Sequence, residues 1–104
     1  MASSKEYLAF ILGQFSGLTR PVTYRAMMGE YILYYGGRTL GGVYDDRLLV
    51  KPVPAAQAMM PEAREELPYT DAKPMLLVEN VDDPAFLCRL LDAMYPELPQ
   101  PKKR

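Results

Sequence analysis

Apolar residues recur at helical spacing near both ends of the chain. The spacing i, i+3, i+4, i+7 places every member of a stripe on one side of an α-helix. Two segments have this spacing: Leu8, Ile11, Leu12 and Phe15, and Leu87, Leu90, Leu91 and Met94. The first stripe predicts a helix over about residues 4–16, and the second predicts a helix that ends near Pro96.

Local signals mark the beginnings of both predicted helices. Ser3 and Glu6 have the spacing of a capping box, in which two side chains satisfy the free backbone donors of the first turn. Asp82 or Asp83 can cap the second helix. Pro84 suits its first helical position, because a backbone N–H there would have no partner within the helix.

Between the two helices, the pattern changes to that of β-strands. β-Branched and aromatic residues become frequent after Pro21, and turn residues fall at short intervals, which is typical of an antiparallel sheet. The predicted strands are about Val22–Met27, Tyr31–Tyr35, Arg38–Tyr44, Arg47–Lys51 and Met75–Glu79.

Three dipeptides shape this predicted sheet. Gly36–Gly37 predicts a two-residue hairpin turn, because such turns need positive φ and glycine adopts it without steric cost. Asp45–Asp46 is a weaker signal of the same kind. Gly41–Gly42 interrupts the alternation of the third strand, which predicts a bulge or a close approach by another backbone.

The second half of the chain is rich in proline and predicts a less regular structure. Residues 55–60 can form a helix of one to two turns, and the acidic stretch Pro61–Pro74 reads as a surface loop. We therefore predict one α+β domain over residues 1–97, with about five antiparallel strands and a helix from each end of the chain packed on the sheet in two layers. Residues 98–104 are predicted to be a disordered basic tail.

Composition and charge limit the class of binding partner and the compartment that the sequence predicts. The formal net charge of −1 argues against a general polyanion binder, because nonspecific affinity for nucleic acid needs many cationic side chains. Cys88 is the single cysteine, so an internal disulfide cannot form and a reducing compartment is expected. Neither a signal peptide nor a membrane-spanning run is recognisable in the sequence. A cytoplasmic location is the expectation.

Residues for catalysis are scarce. The chain has no histidine, and its serines are Ser3, Ser4 and Ser16, so a serine hydrolase triad or a His/Cys zinc site cannot be assembled. The paired carboxylates are adjacent residues with turn, loop or cap roles, and the chain has no phosphate-binding GxxxxGK motif. We therefore predict no catalytic residue, no metal site and no cofactor.

The tyrosines leave a second interpretation open. Five of the eight tyrosines lie in the predicted sheet, among several basic residues. Aromatic residues interleaved with cations can stack on single-stranded bases. Tyrosine is also a common residue on half-exposed strands, where no ligand is involved. Direct binding of single-stranded nucleic acid therefore stays an alternative.

One resemblance concerns the segment from Tyr24 to Lys51. Its order and spacing of Arg25, Met27-Met28-Gly29, a strand that ends near Tyr34, a glycine at Gly42 and Lys51 resemble the N-terminal domain of the TfoX/Sxy competence-regulator family. That family's pattern has phenylalanine more often at the position of Met28. The helical C-terminal domain of full-length family members has no counterpart in these 104 residues. The resemblance implies an antiparallel sheet with helices against it and a role in regulating DNA uptake or transcription.

These observations predict a regulatory or adaptor domain that binds another protein, which could be a second copy of itself. The predicted contact surface is the sheet face or edge together with the Pro61–Pro74 loop. A small-ligand binder or an enzyme of unknown type is a further alternative and would need a concave pocket with converging polar groups. The candidate interaction residues are Arg25, Met28, Gly29, Tyr35, Lys51 and Tyr69.

Overall fold

Two layers make up the structure: a six-stranded antiparallel sheet, and helices packed against one of its faces. The structure is a computed structural model, and it describes residues 4–27, 29–68 and 72–99. The predicted α+β class is confirmed, with six strands where the sequence predicted about five.

The elements follow one another along the chain with short connections. In order they are α1 Lys5–Gln14, β1 Val22–Met27, β2 Glu30–Tyr35, β3 Arg38–Val43, β4 Leu48–Val50, α2 Pro54–Met59, β5 Glu65–Glu66, β6 Met75–Val78 and α3 Pro84–Met94. A 3-10 turn over Tyr95–Glu97 follows α3. The strand order in the sheet is β1-β2-β3-β4-β6-β5.

The N-terminal helix α1 is capped one residue later than the sequence predicted. The Ser4 hydroxyl oxygen accepts the N–H of Tyr7 at 3.1 Å, and the Ser4 N–H donates to Asp46 Oδ1 at 2.8 Å. Ser3, the predicted cap, lies outside the described residues. The helix ends at Gln14 rather than near residue 16, so its length is ten residues.

The last helix, α3, begins and packs as predicted. Asp83 Oδ1 accepts the N–H of Phe86 at 3.1 Å, and Pro84 occupies the first helical position. All four members of its apolar stripe, from Leu87 to Met94, are fully buried. The stripe faces the sheet and forms much of the hydrophobic core.

Both predicted hairpin turns are present. Gly36 and Gly37 have φ values of 57° and 85°, and Asp45 and Asp46 both have φ of 55°. Positive φ at both central residues is the geometry of a type I′ turn, whose twist matches that of the strands. These turns make β2, β3 and β4 a continuous meander.

The Gly41–Gly42 interruption is a bulge with a close backbone approach, as predicted. Leu33 pairs with Gly41, but the next residue, Tyr34, pairs with Thr39, so Leu40 is the extra residue. A Cβ atom on Gly41 would lie 2.0 Å from the carbonyl oxygen of Leu49. The bulge turns the buried Leu40 side chain into the core.

The predicted surface loop contains the strand β5, which the sequence analysis missed. Glu65 and Glu66 pair with Leu76 and Met75 of β6, and the Leu77 N–H donates to the Arg64 carbonyl oxygen at 2.9 Å. A strand of two residues is too short to show an alternating pattern. The predicted short helix after β4 is confirmed as α2.

The ordered domain extends beyond its predicted C-terminal limit at residue 97. Leu98, which the sequence analysis assigned to the tail, is 3% exposed and belongs to the hydrophobic core. An apolar side chain at that position gains stability by packing against the helices. Residues 100–104, which form most of the predicted basic tail, lie outside the described residues.

Candidate functional site

The sheet face that points away from the helices carries an open groove of about 680 Å³. Side chains alternate between the two faces along a strand. Because Leu33 lies in the helix-side core, its neighbour Ile32 faces the groove, which it lines together with Met27. Residues 72–75 form another part of the lining. The groove is therefore bounded by the sheet and by the chain that leads into β6.

Two lysines give this groove a positive character. Lys51 and Lys73 both line it, and no aspartate or glutamate is found among the described residues of its lining. The nearby Glu66 carboxylate pairs with the guanidinium of Arg47 at 3.0 Å. An anionic group in the groove would meet two ammonium groups, while apolar atoms could contact Ile32 and Met75.

Lys51 is positioned by the backbone that extends β4. Its N–H donates to the carbonyl oxygen of Leu40 at 2.8 Å, and its own carbonyl oxygen accepts the N–H of Val53 at 2.8 Å. These two bonds fix the direction of the chain at the point where the strand ends. The Lys51 side chain is half-buried, so its alkyl part lies against protein while the ammonium group can reach the groove.

An apolar layer lies under the groove. Tyr44 and Leu49 are 6% and 0% exposed, although neither belongs to the helix-side core. The Tyr44 ring covers Gly42, where a Cβ atom would lie 2.7 Å from the ring. Glycine at this position therefore leaves room for the ring close to the backbone of β3, and the groove has an apolar base.

The structure brings two predicted site residues to this face. Arg25 pairs with Ile32 in the β1–β2 register, and directly paired residues point to the same side of a sheet. The exposed Arg25 side chain therefore lies on the groove side of β1. Lys51 lines the groove itself. These two residues were selected by the resemblance to the TfoX/Sxy family.

Three other predicted interaction residues, Gly29, Met28 and Tyr69, are not among the described residues that line the groove. Gly29 has φ of 86° at the β1–β2 turn, so its presence is explained by turn geometry. Met28 and Tyr69 lie outside the described residues. Lys73 was not among the predicted residues, although it belongs to the Pro61–Pro74 loop that was predicted as part of the contact surface. Its position in the groove depends on how the chain returns to the sheet after β5.

The prediction that Tyr35 is a surface anchor is wrong. Its side chain is fully buried on the helix side of the sheet, and its hydroxyl donates to Asp92 Oδ1 of α3. Burial, and then the hydrogen bond to Asp92, raise the pKa of Tyr35. Alternation along β2 turns Tyr35 to the same side as Leu33, so this tyrosine contributes to packing rather than to an exposed surface.

Tyr35 belongs to an arginine–tyrosine cluster that the sequence analysis did not find. The guanidinium carbons of Arg20 and Arg38 lie 3.9 Å and 4.3 Å from the centre of the Tyr95 ring. Arg38 Nη1 also donates to the Tyr95 carbonyl oxygen at 3.0 Å, and Arg20 lies 3.8 Å from Asp92. The hydrogen bond with Tyr35 raises the pKa of the Arg20 guanidinium. These contacts connect the start of β1, the β2–β3 hairpin and the end of α3.

The sheet tyrosines do not form one stacking surface. Tyr24 and Tyr31 pair edge to face with ring centres 5.7 Å apart, on the same side of the sheet as the buried Tyr35. Tyr34 and the buried Tyr44 lie on the other side. Stacking of successive bases uses a row of exposed rings on one face, whereas the five sheet tyrosines are divided between the two faces. Binding of single-stranded nucleic acid stays a prediction.

The described residues contain neither a candidate metal-ligand cluster nor a helix that could span a membrane. Within residues 4–27, 29–68 and 72–99, no group of three or more His, Cys, Asp or Glu side chains could hold a metal ion. In the same part of the chain, no helix combines the length and the apolar character needed to cross a membrane.

Fold and groove together define a small α+β protein with a single antiparallel sheet, one face of which is left open. The chain is 32% identical over 105 residues to the "Uncharacterized 12.7 kDa protein in trpE 5'region" of Spirochaeta aurantia, and the match covers 100% of this chain and 90% of that protein. The chain therefore belongs to the same family as that spirochaete protein. No family model matches the chain, and no solved structure matches it.

Proposed function

We propose that the protein is a non-catalytic regulatory or adaptor domain that binds a protein partner through the groove on its open sheet face. The observation that supports this most is the lining of the groove, which combines Lys51 and Lys73 with apolar side chains. Such a surface complements a segment that carries carboxylates next to apolar residues. Arg25, on the same face, extends the positive surface towards β1.

Each part of the groove has a distinct role in this proposal. Contact of the partner's apolar side chains with Ile32 and Met75 removes apolar surface from water, which supplies most of the affinity. Lys51 and Lys73 attract the partner's carboxylates and select against basic segments. Charged groups at the edge of a contact affect association rate and specificity more than total affinity.

The pathway in this proposal comes from the resemblance of Arg25–Lys51 to the TfoX/Sxy family. We propose a cytoplasmic role in the regulation of competence or transcription, exerted through the partner. In a naturally competent host, deletion of the gene should change transformation frequency, and the Lys51→Glu variant should fail to restore it. If the Lys51→Glu variant restored the transformation frequency, the regulatory role would not depend on the groove.

A quantitative pull-down tests the groove directly. The bait is the full chain, as wild type, as the Lys51→Glu/Lys73→Glu variant, or as a control with Lys5→Glu in α1, on the helix side of the sheet. We expect proteins that the wild type and the control retain and that the groove variant loses. Equal retention of the same proteins by all three baits would contradict the proposal.

The size of the groove favours a second candidate function. A volume of about 680 Å³ lies in the range of small-molecule sites, so an amphipathic carboxylate could be the ligand in place of a protein segment. Nuclear magnetic resonance titration with medium-chain fatty acids would show saturable shifts at Ile32 and Lys51. Shifts spread over the whole surface would count against a small-molecule ligand of this type.

A further inference from the structure

The two edges of the sheet differ in their protection against pairing with another chain. Monomeric proteins protect sheet edges with short strands, charges, bulges or proline. At one edge, β5 has two residues, both glutamates, and Pro68 follows soon after it. At the other edge, β1 has six residues, no proline and one charge, Arg25. Within the described part of the chain, no strand pairs with the outer side of β1.

We propose that β1 pairs antiparallel with β1 of a second copy, so that the protein is a homodimer with one continuous sheet. This interface uses the edge of the sheet and is independent of the groove described above. β1 pairs with β2 in an uninterrupted register over all six residues. Its outer side is therefore a regular strand that can accept another strand without rearrangement.

The backbone groups that point outward can be assigned from the β1–β2 ladder. The Pro21 carbonyl oxygen accepts the N–H of Gly36 at 2.9 Å, so position 21 is directed towards β2. Along an antiparallel strand, the backbone N–H and C=O groups of successive residues point alternately to one neighbouring strand and to the other side. The N–H and C=O groups of Val22, Tyr24 and Ala26 consequently point away from β2 and are available to a second strand.

One register satisfies all of these outward groups. When Tyr24 lies opposite Tyr24 of the second copy, Val22 lies opposite Ala26, and each of these pairs exchanges two backbone hydrogen bonds. A shift of two residues in either direction loses one of the three pairs. In one of those directions, it also places Arg25 opposite Arg25, which is unfavourable because like charges repel across a strand pair.

The same register is compatible with the side chains and limits the assembly to two copies. Tyr24 lies on the helix side of the sheet, because it pairs with the core residue Leu33, so both copies present their helices on one side. The Tyr24 ring is 51% exposed and would lie against its counterpart across the two-fold axis. Because the β5 edge is protected, pairing ends at two copies and does not continue into a filament.

Charge variants at Tyr24 test both the dimer and its register. Sedimentation velocity should show the wild type as a dimer at high concentration, and the Tyr24→Lys and Tyr24→Glu variants as monomers. Mixing the two variants should restore the dimer, because Lys and Glu then lie opposite each other at the axis. The Lys51→Glu/Lys73→Glu groove variant should stay dimeric, which separates this proposal from the proposed function.

A backbone variant gives an independent test. Ala26→Pro removes an outward N–H but leaves the β1–β2 hydrogen bonds intact, so it should prevent dimer formation, whereas the control Ala26→Thr should preserve it. Circular dichroism checks that both variants are folded. A monomeric wild type at all concentrations overturns the proposal, as does a dimer that survives Ala26→Pro. A mixture of the two Tyr24 variants that stays monomeric overturns it as well.

Discussion

The helix-covered face and the open face of the sheet differ in how their polar side chains are held. On the helix side, Tyr35, Arg20 and Arg38 have fixed partners in Asp92 and Tyr95. On the open side, lysines line a groove in which the described residues place no carboxylate. The comparison shows that the polar side chains of the first face are tied into the packing of sheet and helices, whereas the lysines of the second face stay open to the groove that we propose as the binding site.

The bulge in β3 determines which residues belong to which face, and its loss should have the largest effect. Gly41→Ala would place a Cβ atom 2.0 Å from the Leu49 carbonyl oxygen, so we expect it to lower the free energy of unfolding by more than about 4 kcal/mol. The matched control is Gly13→Ala in α1, where nothing lies within 4 Å. The control should raise the free energy of unfolding by about 0.5–1 kcal/mol. Urea denaturation measures the free energy of unfolding of both variants. Similar values for the two would contradict the predicted difference.

Neighbouring residues in β2 allow a direct comparison of the two faces. Leu33 is fully buried on the helix side, so Leu33→Ala should cost about 2–5 kcal/mol, because it leaves a cavity in the core. Ile32 is half-buried on the groove side, so Ile32→Ala should cost about 1 kcal/mol. Thermal and urea unfolding would measure both. Equal losses would mean that the groove face is packed as tightly as the core.

The helix-side cluster should also make stability depend on alkaline pH. Burial raises the pKa of Tyr35 above its ordinary value of 10.0, so the folded protein retains this proton at a pH where the unfolded chain has lost it. Stability is therefore complete below pH 10 and falls as the pH rises through the folded pKa. Tyr7, whose pKa burial also raises, contributes to the same slope.

The Tyr35→Phe variant isolates this contribution. At neutral pH, it should lose about 1 kcal/mol of stability with the hydrogen bond to Asp92, and above pH 10 its stability should fall less steeply than that of the wild type. Tyr34→Phe, on the opposite face, is the control for removal of a tyrosine. An unchanged alkaline slope in Tyr35→Phe would show that Tyr35 ionises equally in both states.

The smallest expected effect on stability belongs to the groove lysines. Lys51→Glu should change the free energy of unfolding by less than about 0.5 kcal/mol, because the half-buried Lys51 side chain forms no ion pair with the described residues. The same substitution should weaken partner retention in the pull-down, because it places a repulsive charge opposite the partner's carboxylates. A large loss of stability would show instead that Lys51 is a structural residue.

Local signals in the sequence predicted most of the fold. Apolar stripes predicted α1 and α3, and Gly36–Gly37 and Asp45–Asp46 predicted the hairpin turns, because each depends on residues close together in the chain. β5 was missed because its pairing with β6 involves partners about ten residues away and only two residues of its own. The sequence also could not show that Tyr35 is buried, since alternation gives two sets of residues without saying which set faces the helices.

The candidate site was predicted less completely than the fold. Arg25 and Lys51 were selected because their order and spacing match a family pattern, and both lie on the open face. Lys73 had no such signal, because it reaches the groove through the return of the chain after β5. The cluster around Tyr95 was equally hidden, since Arg20 and Arg38 lie far from it in sequence.

The β2–β3–β4 meander also has a consequence for the order of folding. Its two-residue turns close very short loops, which costs little chain entropy, whereas pairing of β6 with β4 closes a longer loop that contains α2 and β5. We expect the meander to be formed in the transition state and β6 to dock later. Val43→Ala should then mainly slow folding, and Val78→Ala should mainly speed unfolding. Stopped-flow measurement of both variants would reveal the order, and the opposite pattern would place β6 in the folding nucleus.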